Sequence, residues 1–205
     1  MKPEYWSRAK RALARRDPVM GAIMRAHPKI FLVRRGEPFM TLARAIVGQQ
    51  ISVKAAQSVW DRVVACAGAV TPEAILARPR PLLRACGLSD RKTEYICDLA
   101  QHFANGSIHV HRWPQMSDEA IIAELVEVRG IGRWTAEMFL IFSLLRPDVF
   151  PLDDLGLQKG IRVAYFSNRK VALSTLRRIG ERWRPWRSVA TWYLWRSLDP
   201  VPVEY

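Results

Sequence analysis

The chain has 205 residues, 49% of them hydrophobic, enough to bury one sizeable core or two small ones sharing a cleft without crosslinks. Its 32 Lys and Arg against 19 Asp and Glu leave a formal net charge of +13, far beyond what solubility requires, so a polyanionic partner is expected. Three widely spaced cysteines, Cys66, Cys86 and Cys97, fit reduced thiols better than a metal site or disulfide framework; with no apolar run of about 18 residues and no signal peptide in MKPEYWSRAK, a cytoplasmic protein without membrane contact is expected.

The elements follow in chain order. Asp17-Pro18 places a capping side chain before a proline suited to the first helical position, and Thr71-Pro72 repeats the signal. Phe39, Leu42, Ala43, Ile46 and Val47 fall on one face of a helix, as do Val53, Ala56, Trp60, Val63 and Val64 in the next segment. Ala67-Gly68, Cys86-Gly87 and Asn105-Gly106 read as helix stops. The one weak strand candidate is Ile108 to His111. Roughly ten helices joined by short connections are expected, with no internal repeat, low-complexity tract or long linker. The arginines are scattered along the chain instead of lining one amphipathic helix, which favours nucleic acid over an anionic membrane as the polyanion.

Residues 128 to 139, VRGIGRWTAEMF, interrupt this pattern. Glycine inside a helix costs roughly 1 kcal/mol relative to alanine, so Gly130-Ile131-Gly132 marks a break, between a helix ending at Arg129 and another beginning near Arg133. Leu125 and Val128 lie on the buried side of the first, and Ile131 is expected to plug the turn into the core. The first amides of the second helix are left without intrahelical acceptors and, aided by the helix dipole, suit a phosphate oxygen. A tight helix-to-helix turn with no ligand fits the three residues alone equally well.

The pattern L-x-x-V-x-G-I-G-x-x-T-A, from Leu125 to Ala136, resembles the helix-hairpin-helix of DNA repair glycosylases. About twenty residues beyond it, FPLDDLGLQKGI (150 to 161) resembles that family's second hallmark, a Gly/Pro-flavoured stretch carrying an aspartate. ARAIVGQQISVKAA (43 to 56) and RWRPWRSVATWYLW (182 to 195) are similar to the alkylpurine branch, the bacterial 3-methyladenine DNA glycosylase II enzymes. The resemblance spans roughly residues 17 to 198. It implies an all-α fold of two helical lobes with the hairpin at their cleft: a central lobe of about 36–150, and a second from 1–35 plus 151–205. The amino-terminal β domain carried by many members of the branch is not expected.

By the same resemblance, Asp154 is the catalytic carboxylate and Asp153 its neighbour, although two aspartates after Pro151 also fit a cap on a helix beginning near Leu155. A purine alkylated at N3 or N7 is cationic and already a good leaving group, so one carboxylate suffices to stabilise the oxocarbenium character developing on the sugar and to orient water. Trp134, Met138 and Trp195 match positions that wall the everted base; Met138 stands where an aromatic is common, and tryptophans 183, 186, 192 and 195 also fit core filling. Gln50 matches the wedge that fills the gap in the duplex, and also fits a solvated turn residue. Gly130, Ile131, Gly132 and Thr135 match the phosphate-binding hairpin, whose carbonyls in relatives hold a structural monovalent cation.

Relatives that also cut the strand place a lysine nucleophile directly after G-x-G-R, where this chain has Trp134, so a monofunctional glycosylase is implied. Iron-sulfur relatives carry four late cysteines and this sequence has none after Cys97, so no cluster and no catalytic metal are expected. The implied partner is double-stranded DNA bearing alkylated bases, approached by a nucleoid-associated monomer. Three alternatives stay open at this point: a non-catalytic hairpin DNA-binding module, a bifunctional glycosylase/lyase for oxidised bases, and RNA binding through the basic surface.

Overall fold

Capping side chains start six of the described helices. In the computed structural model, which describes residues 2–198, Asp17 accepts from the Met20 amide and Thr71 from the Ala74 amide, as their sequence context predicts. Ser52, Ser89, Ser117 and Asp154 cap in the same way. In chain order the helices are α1 (Trp6–Arg16), α2 (Pro18–Ala26), α3 (Pro38–Gly48), α4 (Val53–Ala67), α5 (Pro72–Leu76), α6 (Arg80–Ala85) and α7 (Asp90–Ala104). They continue as α8 (Asp118–Val126), α9 (Arg133–Phe142), α10 (Leu155–Phe166), α11 (Leu173–Glu181) and α12 (Arg187–Leu198). The described residues hold these twelve helices, a 3₁₀ turn at Val110–Gln115 and no strand, so the fold is all-α. The expected stops at Gly68, Gly87 and Gly106 all take positive φ.

The chain divides into two units. Among the described residues, one comprises those up to Arg34 together with 140–198; the other runs from Arg35 to Phe139. The second boundary falls inside α9, whereas the sequence reading drew it near residue 150, because the end of α9 is apolar on all sides and offers no compositional break.

In the first unit, Trp6 and Leu13 of α1, Met20 of α2, Ile161 of α10 and Tyr193 of α12 are fully buried, and the Trp6 and Tyr193 rings stack 6.0 Å apart. Asp17, 1% exposed, is its polar anchor: besides capping α2 it accepts from the Tyr165 hydroxyl at 2.8 Å and the Trp183 indole at 3.1 Å. Burial and that hydrogen bond together push the Tyr165 phenol up. Gly160 lets α10 lie against α12, since a Cβ there would stand 3.0 Å from that of Leu194. In the second unit, Leu42 and Ile46 of α3, Val63 of α4, Ile96 and Leu99 of α7 and Leu125 of α8 form the core.

The strand-like segment Ile108 to His111 is not a strand. Its alternation has another cause: Ile108 is buried, while the backbone amide and ring Nδ1 of His109 both meet Glu124, at 2.9 and 2.8 Å. The Trp113 indole adds a third hydrogen bond to the same carboxylate at 2.8 Å. Burial pushes Glu124 up, but these donors outweigh it and hold its carboxyl below the ordinary value. A group with a depressed folded pKa stabilises above its unfolded value and loses that contribution as pH falls through the folded one. Glu124→Gln is therefore expected to lower stability at pH 7 by about 1–2 kcal/mol in urea unfolding, with the difference from wild type shrinking as pH is taken down through the carboxylate range.

Candidate functional site

The hairpin is built by two glycines with different reasons. Gly130 has φ +83, and a Cβ there would overlap the Tyr95 ring, so the protein's own geometry demands glycine. Gly132 lacks a positive φ, and a Cβ there would meet nothing within 4 Å. Nothing inside the chain requires glycine at 132; a ligand approaching the backbone from outside would. Leu125, Val128 and Ile131 are buried, so the turn is plugged as its sequence predicts and Ile131 can offer a ligand only its backbone. The helix before the turn ends earlier than expected, at Val126, because the Arg129 amide is drawn to Asp98 of α7 at 2.9 Å while its guanidinium pairs with Glu94.

Beyond the turn, α9 begins at Arg133, directly after Gly132, which has no side chain with which to cap it. Gly132 therefore differs from the Ser, Thr or Asp whose side chain caps six other helices of this chain. Thr135 is half-buried, Met138 is half-buried and Trp134 is 41% exposed on this helix. Arg133 turns aside to Glu119 and to Glu137, the latter at 3.1 Å.

The loop between α3 and α4 is tied to the hairpin. Gln49 donates from Nε2 to the Gly130 carbonyl at 2.8 Å, and the Lys92 ammonium donates to the carbonyls of Val47 and Gln49, both at 2.7 Å. Burial pulls the Lys92 ammonium below the ordinary lysine value. Held in this way, the loop turns at Gln50, which has φ 59 and an exposed side chain, with Ile51 and Val53 exposed beside it. A groove of about 530 Å³ runs along these residues, lined by Gln50, Arg91, Lys92, Tyr95, Arg129 and Gly132 among others. Sequence reasoning missed Lys92 and Tyr95. Their partners are backbone groups tens of residues away, for which a sequence carries no signal.

In the other unit, the two aspartates part company. Asp153 is exposed. Asp154 caps α10, its Oδ1 accepting from the Leu157 amide at 2.6 Å and from the Trp195 indole at 2.8 Å. The cap reading and the site reading thus describe the same carboxylate. Gly156 makes the arrangement possible, because its missing Cβ would stand 3.1 Å from Oδ1 and 3.3 Å from the Trp195 ring. The Trp195 indole in turn stacks on Phe142, with centroids 5.9 Å apart and planes at 17°. Trp183 and Trp186 are buried core residues, and the half-buried Trp192 meets Phe142 edge-on. The predicted residues therefore fall into two groups: Asp154 and Trp195 in direct contact on one unit, and Gln50, Gly130, Ile131, Gly132, Trp134, Thr135 and Met138 on the other.

Residues 43–185 match the model of the HhH-GPD superfamily base excision DNA repair proteins. The chain belongs to this superfamily. The HhH-GPD match includes Gln50, the hairpin and Asp154 and ends ten residues before Trp195. Among curated proteins, the chain is 35% identical over 169 residues to DNA-3-methyladenine glycosylase 1 of Schizosaccharomyces pombe, covering 80% of this chain and 74% of that one. It is 28% identical over 196 residues to DNA-3-methyladenine glycosylase 2 of Escherichia coli, covering 90% and 66%. Among solved structures it superposes on the Bacillus halodurans DNA-3-methyladenine glycosidase with a TM-score of 0.85 at 32% identity, covering 92% of this chain and 87% of that one. The S. pombe 3-methyladenine DNA glycosylase in complex with abasic DNA gives 0.81 at 32%, covering 96% and 100%.

Among the described residues, no group of three or more His, Cys, Asp or Glu is disposed to hold a metal ion, and no helix is long and apolar enough to cross a membrane. The two hairpin glycines make separable expectations. Gly130→Ala should lower stability by roughly 1–3 kcal/mol through backbone strain and overlap with Tyr95. Gly132→Ala should leave the melting temperature almost unchanged yet weaken binding to duplex DNA about tenfold, read by fluorescence anisotropy. Equal DNA affinity for the Gly132 variant and wild type would remove this backbone from the interface.

Proposed function

We propose that this chain is a monofunctional DNA glycosylase that everts an alkylated purine, of the 3-methyladenine and 7-methylguanine class, from duplex DNA and hydrolyses its N-glycosidic bond, leaving an abasic site. The observation that carries the reading is the treatment of the two adjacent aspartates. Asp153 is left in solvent, while Asp154 is locked by a helix amide and an indole N–H on one oxygen, with a glycine at 156 to admit the indole. A carboxylate held so firmly is preorganised for charge that develops in front of it.

The chemistry asks little else of the protein. A cationic base leaves with its bonding electrons, the deoxyribose carbon becomes cationic, and Asp154 stabilises that charge and orients the water that adds to it. The hairpin amides, the backbone at Gly132 and Thr135 anchor a DNA phosphate. Trp134, the thioether of Met138 and the Trp195 ring receive the base, and Gln50 fills the vacated stack, where its amide can hydrogen-bond the orphaned partner. The hairpin offers uncharged carbonyl oxygens, a donor set that suits a hard monovalent cation in a structural role. The protein acts as a monomer on double-stranded DNA.

Strand cleavage would need an amine nucleophile. Lys92 has the lowered pKa that such chemistry favours, but it lies outside the hairpin helix and directs its ammonium at two backbone carbonyls. Borohydride reduction in the presence of lesion-bearing duplex is therefore expected to trap no covalent protein–DNA adduct; an adduct that disappears in Lys92→Met would replace the monofunctional reading. For the carboxylate, Asp154→Asn is expected to slow release of 7-methylguanine by a factor of about 10² or more while DNA affinity is retained. Base release at the wild-type rate would leave the chain a hairpin DNA-binding module whose chemistry lies elsewhere.

A further inference from the structure

The charge is not shared between the two units. Among the described residues, those up to Arg34 and from Leu140 onward include twenty Lys and Arg against six Asp and Glu, whereas 35 to 139 include twelve against eleven. The unit that carries the hairpin is close to neutral. The field that draws in a polyanion therefore originates in the unit that carries Asp154, where basic residues outnumber acidic ones.

Within that unit α1 is the most one-sided source, with five basic and no acidic residues in eleven. Trp6, Ala9 and Leu13 are its buried face. At about 100° per residue, Arg8, Arg11 and Arg15 fall within an arc of about 60° on the opposite side. All three are exposed, and among the described residues none pairs with a carboxylate. The Arg8 guanidinium lies 5.1 Å over the Trp186 ring, which steadies it without neutralising it. Arg16, by contrast, turns away to the carbonyl of Arg184 at 2.7 Å.

Three cations in a row along roughly 10 Å of helix match the spacing of a duplex, whose strands each present a phosphate about every 3.4 Å of axis. The stripe has no apolar residue to insert into lipid, because the apolar face of α1 is already in the core. Nor does it hold an amide or aromatic side chain that would read base edges.

We propose that Arg8, Arg11 and Arg15 form a second duplex-binding surface, carried on a different unit from the hairpin, that grips the DNA backbone regardless of sequence or lesion. Its part in the reaction is the search: attraction spread over many phosphates raises occupancy of undamaged DNA and lets the enzyme slide before any base is everted. The proposal rests on the glycosylase reading only in taking DNA as the polyanion.

The test is the salt dependence of affinity for an undamaged 30-base-pair duplex between 50 and 200 mM NaCl. Replacing all three with Gln is expected to reduce the log–log slope by about 2–3. The single-turnover rate of base release at saturating enzyme should stay at the wild-type value. Arg11→Gln with Arg15→Gln, which leaves the Arg8–Trp186 contact alone, guards against a folding defect and should reduce the slope by about 2. Arg25, Arg177 and Arg178 replaced by Gln remove the same formal charge from the same unit. An unchanged slope in the stripe variant, an equal loss in this control, or a loss confined to anionic vesicles would each overturn the proposal. If the wild-type protein releases no base, the glycosylase reading fails, yet the slopes still decide this one.

Discussion

Every α-helix begins with amides that have no acceptor of their own, and how this chain answers that need decides where its chemistry sits. Six helices close the gap with a Ser, Thr or Asp side chain. At α10 the closing group is Asp154, so satisfying the helix also immobilises the carboxylate proposed to face the sugar. At α9 the residue before the helix is Gly132, which has no side chain with which to close it. One backbone constraint thus fixes a carboxylate in one unit, and the other unit holds the glycine turn proposed to meet a phosphate.

What surrounds these two helix starts is rigid packing made possible by absent side chains. Gly156 lets an indole hydrogen-bond the carboxylate, Gly160 lets α12 close on α10, and Gly130 lets the Tyr95 ring cover the hairpin. The loop between α3 and α4 is held by the Lys92 ammonium, which donates to its backbone, and by the Gln49 amide, which donates to the hairpin carbonyl of Gly130, so its tip, Gln50, is exposed while its stem is fixed. The wedge role proposed for Gln50 needs this combination, since a side chain that enters a duplex must be presented on a support that does not yield.

Charge follows a different logic from packing. The hairpin unit carries a nearly balanced set of charged side chains, and the excess lies on the other unit, where α1 alone has five basic and no acidic residues. The contacts proposed to position a damaged base and those proposed to hold DNA nearby can then be altered separately, because they reside on different elements.

The sequence by itself determined the helices, their caps and stops, and the break at Gly130-Ile131-Gly132, because each of these is set by residues within a turn or two of one another. It also determined the family, since the hairpin and the Asp153-Asp154 pair are local motifs at a set spacing. Tertiary structure alone decided which aspartate is held, because Trp195 reaches Asp154 from 41 positions away. It likewise decided that Ile108 to His111 is gathered by Glu124 and not paired in a sheet, that Lys92 straps a loop 43 residues upstream, and that the excess of basic over acidic residues falls in one unit. Those outcomes depend on which surfaces meet when helices pack, and periodicity within a helix carries no information about the partner that will cover it.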